Sequence, residues 1–237
     1  MESVPTTFHV VKSPRVVPAS VTLVPTLLRL DFSYDDDATS VSRALTGTFA
    51  RAWRASGPER TVVEHDLRTD PVPPPGHGAL HWAEELRAPG VVVPAEAEAA
   101  HARVLDELLA ADVVVIGAPL YNYGPSATLK AWLDHVHVPG VTAPFGGDAP
   151  RPLRGRRAVV VAARGTAHDG DSEAEGRDHA LPLLRLILGD ALGMDVHVVT
   201  VDRTLSATVP TFAGERARFE RRFAAAAAEL EELAARS

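Results

Sequence analysis

Asp112-Val113-Val114-Val115-Ile116-Gly117-Ala118 runs into Pro119-Leu120-Tyr121-Asn122-Tyr123-Gly124-Pro125 and then Ser126-Ala127-Thr128-Leu129-Lys130-Ala131-Trp132-Leu133-Asp134. The first third is continuously apolar at its centre, the pattern of a parallel strand covered by helices on both faces. The last third, from about Ser126 to His135, reads as a helix. Between them lies an aromatic turn. Working outward, residues 157–163 repeat the buried-strand pattern and residues 26–32 supply an earlier strand. A short strand at 61–67 follows a helix at about 42–55 that Gly57 and Pro58 end. Residues 94–111 are rich in Ala, Glu and Leu and read as helix, 181–192 as an apolar helix ending near Gly193, 196–201 as a last strand and 214–236 as a closing helix. Strands alternating with helices predict an α/β fold: one doubly wound, mainly parallel five-stranded sheet with right-handed crossovers and helices on both faces.

At 237 residues the chain is long for one such sheet and short for two domains, so residues 26–237 are expected to form one domain. The preceding 1–25 carry Pro5, Pro14, Pro18 and Pro25 and read as an extended arm. The chain is 46% hydrophobic and 23% charged, values of a soluble globular protein. No cysteine is present, which excludes disulfides, thiolate metal sites and cysteine nucleophiles, and a reducing cytoplasm is the simplest setting. A net charge of -7 without a basic cluster argues against nucleic acid; Arg154, Arg156 and Arg157 crowd together but read as a solvated loop. No apolar stretch is long enough to cross a bilayer, and the opening residues lack a secretory pattern, so no membrane partner is expected.

Ligands of doubly wound sheets bind beyond the carboxyl ends of the strands, near the switch in strand order. That singles out the loops after Phe32, Ala118 and Ala163. The middle loop offers two tyrosine faces, the Asn122 amide and backbone donors, a set suited to a planar ring with heteroatoms at its edge.

Leu120-Tyr121-Asn122-Tyr123, with Leu129-Lys130 and Asp134 on the following helix, closely resembles the signature of the FMN-dependent NADH azoreductases, flavodoxin-like relatives of the NAD(P)H quinone reductases. The resemblance extends from about residue 27 to 205. It implies a homodimer that passes hydride from NADH or NADPH through FMN to quinones, azo compounds or related aromatic small molecules. Carried over by position, it assigns the flavin ring to Leu120, Tyr121, Asn122 and Tyr123, and the phosphate to Ser40, Val41 and Ser42. Ala163, Arg164, Gly165 and Thr166 stand where the family has a Ser-Arg-Gly-Gly loop over the ring, and His168 stands where it could polarise a ring carbonyl.

The chain departs from the family pattern in two places. Ala163 replaces the loop serine and Thr166 its last glycine, and Asp35, Asp36 and Asp37 precede the phosphate-binding serines. A carboxylate about 6 Å from a phosphate charge costs on the order of 3 kcal/mol at an effective dielectric near 20, roughly a hundredfold in affinity. The aspartates therefore either face solvent, cap the helix and complement its dipole, with Arg43 offsetting part of their charge, or mark a site that has lost its flavin. The second case corresponds to a flavin-free lyase, isomerase or cyclase with substrate in the ring site; a non-catalytic binding protein is a third reading.

Other constellations are weaker. His77 and His81 have helical metal-site spacing but lie among Pro and Gly, so no metal is assigned. His135 and His137 are expected to interact with a helix end, and residues 169–173 to form a solvated acidic loop. No Gly-x-Ser-x-Gly, Walker or dinucleotide glycine motif occurs.

Overall fold

The computed structural model describes residues 24–146, 149, 151–168 and 176–237. All but Val24 and Pro25 of the expected N-terminal arm lie outside these residues, as does the acidic run from Asp169 to Glu173.

Five strands form one sheet in the order β2-β1-β3-β4-β5, every pair parallel. They are β1 (Thr26–Asp31), β2 (Thr61–Asp66), β3 (Val113–Pro119), β4 (Arg157–Ala163) and β5 (Asp195–Val201). The expected strand at 157–163 matches β4 to the residue, and the others agree within one residue at either end. Wholly parallel pairing sharpens the expectation of a mainly parallel sheet. The order reverses between β1 and β3, so the crevice at their carboxyl ends is the topological switch point.

Side chains alternate across β3 as strand geometry requires. Val113 and Val115 join Leu45, Phe49 and Trp53 of α1 (Val41–Ala55) and Phe219 and Leu230 of α5 (Arg216–Ala235). On the other face, Val114 and Ile116 meet Val104 and Leu108 of α2 (Ala95–Ala110), and Trp132 and Leu133 of α3 (Ala127–Val136). The Trp53 indole stays hydrogen-bonded inside its core, donating to Thr61 O at 2.9 Å.

The apolar segment predicted as one helix is instead α4 (Ala180–Leu184) continued by a π-helical stretch, Arg185–Ala191. Leu184, Leu188 and Leu192 are all buried at a strict spacing of four. That interval exceeds the 3.6 residues of an α-turn, and a wider turn keeps the three leucines on the core. Of the arginines expected in a solvated loop, Arg154 is exposed in a turn, while Arg156 and Arg157 are half-buried. Arg156 donates to Leu109 O and Ala111 O, both at 2.7 Å, satisfying carbonyls at the end of α2.

Candidate functional site

Three loops meet at the carboxyl edge of β1, β3 and β4. The first begins at buried Ser33 and ends at Ser40, which caps α1 by accepting from Arg43 N at 3.3 Å. Ser40 Oγ and Ser42 Oγ lie 3.3 Å apart and both residues are buried. The first-turn amides of Val41 and Ser42 have no intrahelical acceptor and carry the positive end of the helix dipole. The helix start thus gathers two adjacent hydroxyls and first-turn amide donors, an arrangement that suits a phosphate.

The aspartates of this loop are exposed, and the helix cap is Ser40 rather than any of them. Asp36 holds the loop's own turn. Its Oδ1 accepts from Thr39 Oγ1 at 2.8 Å, Ala38 N at 3.1 Å and Thr39 N at 3.2 Å, and the Thr39 hydroxyl bond in particular lowers its pKa. Asp37 pairs with Arg43 Nη1 at 3.4 Å. Asp31, buried just below, has its pKa raised by burial although Arg29 stands 2.8 Å away.

The middle loop closes through a bridge between Tyr121 and Gly124, with backbone bonds of 3.0 Å in both directions. Asn122 and Tyr123 both adopt left-handed backbone, at φ 47° and 70°. Holding two non-glycine residues there is costly, and such strain gathers at ligand-binding turns. The turn is tied to the first loop: Tyr121 Oη accepts from Tyr34 N at 3.1 Å and lies 3.3 Å from Ser33 Oγ. The rings of Tyr34 and Tyr121 stack at 4.6 Å, and Tyr34 Oη accepts from Ala127 N at the start of α3. Ser33 and Tyr34 are site residues that the sequence reading missed. A Ser-aromatic pair at a strand end was the only available signal.

The third loop is latched to the chain after β5. Arg203 N donates to Thr166 O, Thr204 N to Arg164 O and Leu205 N to Gly165 O, at 3.1 to 3.2 Å. A Cβ on Gly165 would meet Leu205 at 2.9 Å, so the loop lies flat against its neighbour. Leu120 N, in turn, donates to Ala163 O at 2.8 Å, joining the middle and third loops. Arg164 points back into an ion pair with Asp178 at 2.6 Å, and Asp178 caps α4 through Ala180 N and Leu181 N at 2.9 Å. His179 N then donates to Tyr123 O at 2.9 Å. The structure therefore gathers Ser40, Val41, Ser42, Leu120, Tyr121, Asn122, Tyr123, Ala163, Arg164, Gly165 and Thr166 along one edge, with the Arg164 guanidinium turned to a structural partner.

His168 follows this loop. Its Nδ1 lies 3.1 Å from Thr166 O, a pure acceptor, so the neutral ring carries its proton on Nδ1. Buried Nε2 has no hydrogen-bond partner among the described residues and is left as an acceptor. In that tautomer Nε2 can accept a hydrogen bond but not donate one; polarising a carbonyl, the role expected from sequence, requires the imidazolium.

His77 and His135 lie away from this loop. His77 Nδ1 accepts from Ala79 N and caps the short turn Gly78–His81. His135 lies in the last turn of α3 as expected, but its buried ring bonds elsewhere, with Nδ1 3.0 Å from His101 Nδ1 and Nε2 2.8 Å from Pro73 O.

Comparison with known proteins gives one consistent result. A family model described as "Flavodoxin-like fold" matches residues 25–230. A protein of Kineococcus radiotolerans named FMN-dependent NADH:quinone oxidoreductase is 50% identical over 211 residues, covering 89% of this chain and 99% of that one. One of the same name from Streptomyces avermitilis is 35% identical, covering 86% and 96%. Among solved structures, an FMN-dependent NADH-azoreductase from Bacillus anthracis in complex with FMN superposes with a TM-score of 0.71 at 22% identity, covering 90% of this chain and 98% of the other. At that identity the likeness is one of fold.

Proposed function

The chain belongs to the flavodoxin-like family of the FMN-dependent NADH:quinone oxidoreductases, and on that premise we propose that it reduces quinones with NADH through bound FMN. The observation that carries this reading is the 50% identity to a quinone oxidoreductase over nearly its whole length. Azo compounds form the second acceptor class, in keeping with the azoreductases that share the fold.

The residues present fit FMN. Buried hydroxyls and free amides at the start of α1 suit a phosphate, and of the three aspartates that argued against one, Asp36 is turned to its own loop and Asp37 to Arg43, while Asp35 is exposed. This weighs against a flavin-free enzyme on the same scaffold. Bound FMN supplies the hydride-accepting and hydride-donating chemistry, so no side-chain nucleophile is required. Ser40, Val41 and Ser42 would hold the phosphate, and Leu120, Tyr121, Asn122 and Tyr123 the ring. Ala163, Arg164, Gly165 and Thr166 would supply backbone to its far edge. His168 Nε2 would accept from the ring's imide N–H, which positions the ring without a proton passing to solvent.

The assembly we propose is a homodimer in the cytoplasm. Leu183, Leu186 and Ile187 line a cleft of about 380 Å³ with His81 and Leu133, and Leu186 is 56% exposed there. Trp82 and Phe145, in edge contact, are also exposed. A second copy would cover such surface. Among the described residues no helix is long and apolar enough to cross a membrane.

Steady-state oxidation of NADH with a benzoquinone tests the activity. Turnover that requires added or retained FMN is expected; NADH oxidation that is independent of flavin, or none with FMN bound, would refute it. Light scattering is expected to return twice the chain mass of 25.2 kDa.

A further inference from the structure

Arg43 is 4% exposed, deep under a loop that carries three carboxylates. Its guanidinium touches both the start and the middle of that loop: Nη2 donates to Ser33 O and Nη1 to Asp37 Oδ1, each at 3.4 Å. Nη2 also pairs with Asp66 at the end of β2, anchoring the loop to the neighbouring strand. Nε is buried without a hydrogen-bond partner among the described residues. Arg43 itself belongs to the first turn of α1, one residue beyond Ser42, and its amide is the one the Ser40 cap occupies. A buried cation is therefore carried by the same first turn that supplies the two hydroxyls and the amide donors, and it pairs into a loop that carries three carboxylates.

From this arrangement we propose that Arg43 is the positioning residue and counter-charge of the phosphate loop, and that it lets an acidic loop bind the anionic end of FMN. The inference rests on the cofactor reading above and adds a residue to it. Without Arg43 the carboxylates of Asp37 and Asp66 lose their shared cation, and Ser33 O loses its tether, while the ring loop keeps its own contacts through Tyr121, Gly124 and Ala163. Tyr121 Oη also meets Ser33 Oγ and Tyr34 N of the first loop, so the larger effect is expected on the phosphate and a much smaller one on the isoalloxazine.

Titration of the full-length apoprotein with FMN and, separately, with riboflavin, followed by quenching of flavin fluorescence, reads this difference. Arg43→Gln is expected to raise the FMN Kd by about tenfold or more, as loss of a unit charge within several ångströms implies, with the riboflavin Kd within about twofold of wild type. Adding Asp37→Asn to that variant is expected to restore part of the FMN affinity. Equal losses for both flavins would mean a structural role only and overturn the proposal, as would an unchanged FMN Kd. Should Arg43→Gln fail to fold, Arg43→Lys decides by the same pair of titrations: FMN weakened several-fold with riboflavin unchanged supports it, and equal shifts or none overturn it. Wild-type protein that binds neither flavin would instead overturn the cofactor reading.

Discussion

At Gly117 a single missing Cβ decides how closely α1 and the Asp31 side chain pack over β3 beneath the site. A Cβ there would meet Asp31 Oδ1 at 2.9 Å and Thr46 Cγ2 at 3.4 Å, and Asp31 is fixed by Thr46 Oγ1 and Arg29. Gly117→Ala is expected to cost about 1–3 kcal/mol, the usual penalty of overpacking, measured by urea denaturation of the apoprotein. The loop aspartates differ from one another for equally local reasons. Asp36 accepts three hydrogen bonds that shape its turn, whereas the Asp35 side chain makes no hydrogen bond or ion pair among the described residues. Asp36→Ala should therefore weaken FMN binding although it removes a negative charge, while Asp35→Asn should leave it unchanged or tighten it by a few-fold; equal effects in the titration would contradict this. Sequence showed that three carboxylates stood before the phosphate serines. It did not show where they turned, because an aspartate can cap a helix, hold its own turn or face a ligand with the same local spacing. For His168, the bond to Thr166 O predicts that His168→Ala lowers flavin affinity more than His168→Gln, whose side-chain oxygen can still accept.

Helices α2 and α3 are joined by a contact that no local pattern announces. His101 and His135 are 34 positions apart, and their apposed Nδ1 atoms at 3.0 Å need one proton between them. With Pro73 O accepting from His135 Nε2, neutral His101 donates from Nδ1 and neutral His135 accepts. Burial, then the proximity of His135, lowers the His101 pKa to about 4, and burial lowers that of His135. Since the unfolded chain binds protons near pH 6.5 and the folded pair resists them, stability is full above about 6.5 and falls as pH drops toward 4. His101→Gln, keeping a donor, should flatten that part of the melting profile; a wild-type Tm constant from pH 7 to 4.5 would contradict the account. Elements whose signal is local were legible: β4 was read to the residue and α2 to within one. The π-helical stretch after α4 was not, because a strict spacing of four apolar residues is close enough to 3.6 to pass for an ordinary helix until the sheet beneath fixes which leucines must be buried.

Across the whole molecule, the parallel order β2-β1-β3-β4-β5 brings three loops, separated by tens of residues, to one edge. The site's existence was legible from alternating buried strands and helices, since ligands of such sheets bind at the switch point. Its inner wiring was not: Tyr34 stacks on Tyr121, 87 positions away, and the third loop depends on backbone donors after β5. On the function proposed above, these loops hold a redox-active flavin despite the acidic approach. The most direct test is the visible spectrum of the purified protein after incubation with excess FMN and desalting, recorded before and after anaerobic NADH. Retained flavin absorbance that bleaches with NADH and returns on adding a quinone is the predicted result; a colourless protein, or bound flavin that NADH leaves oxidised, would contradict it.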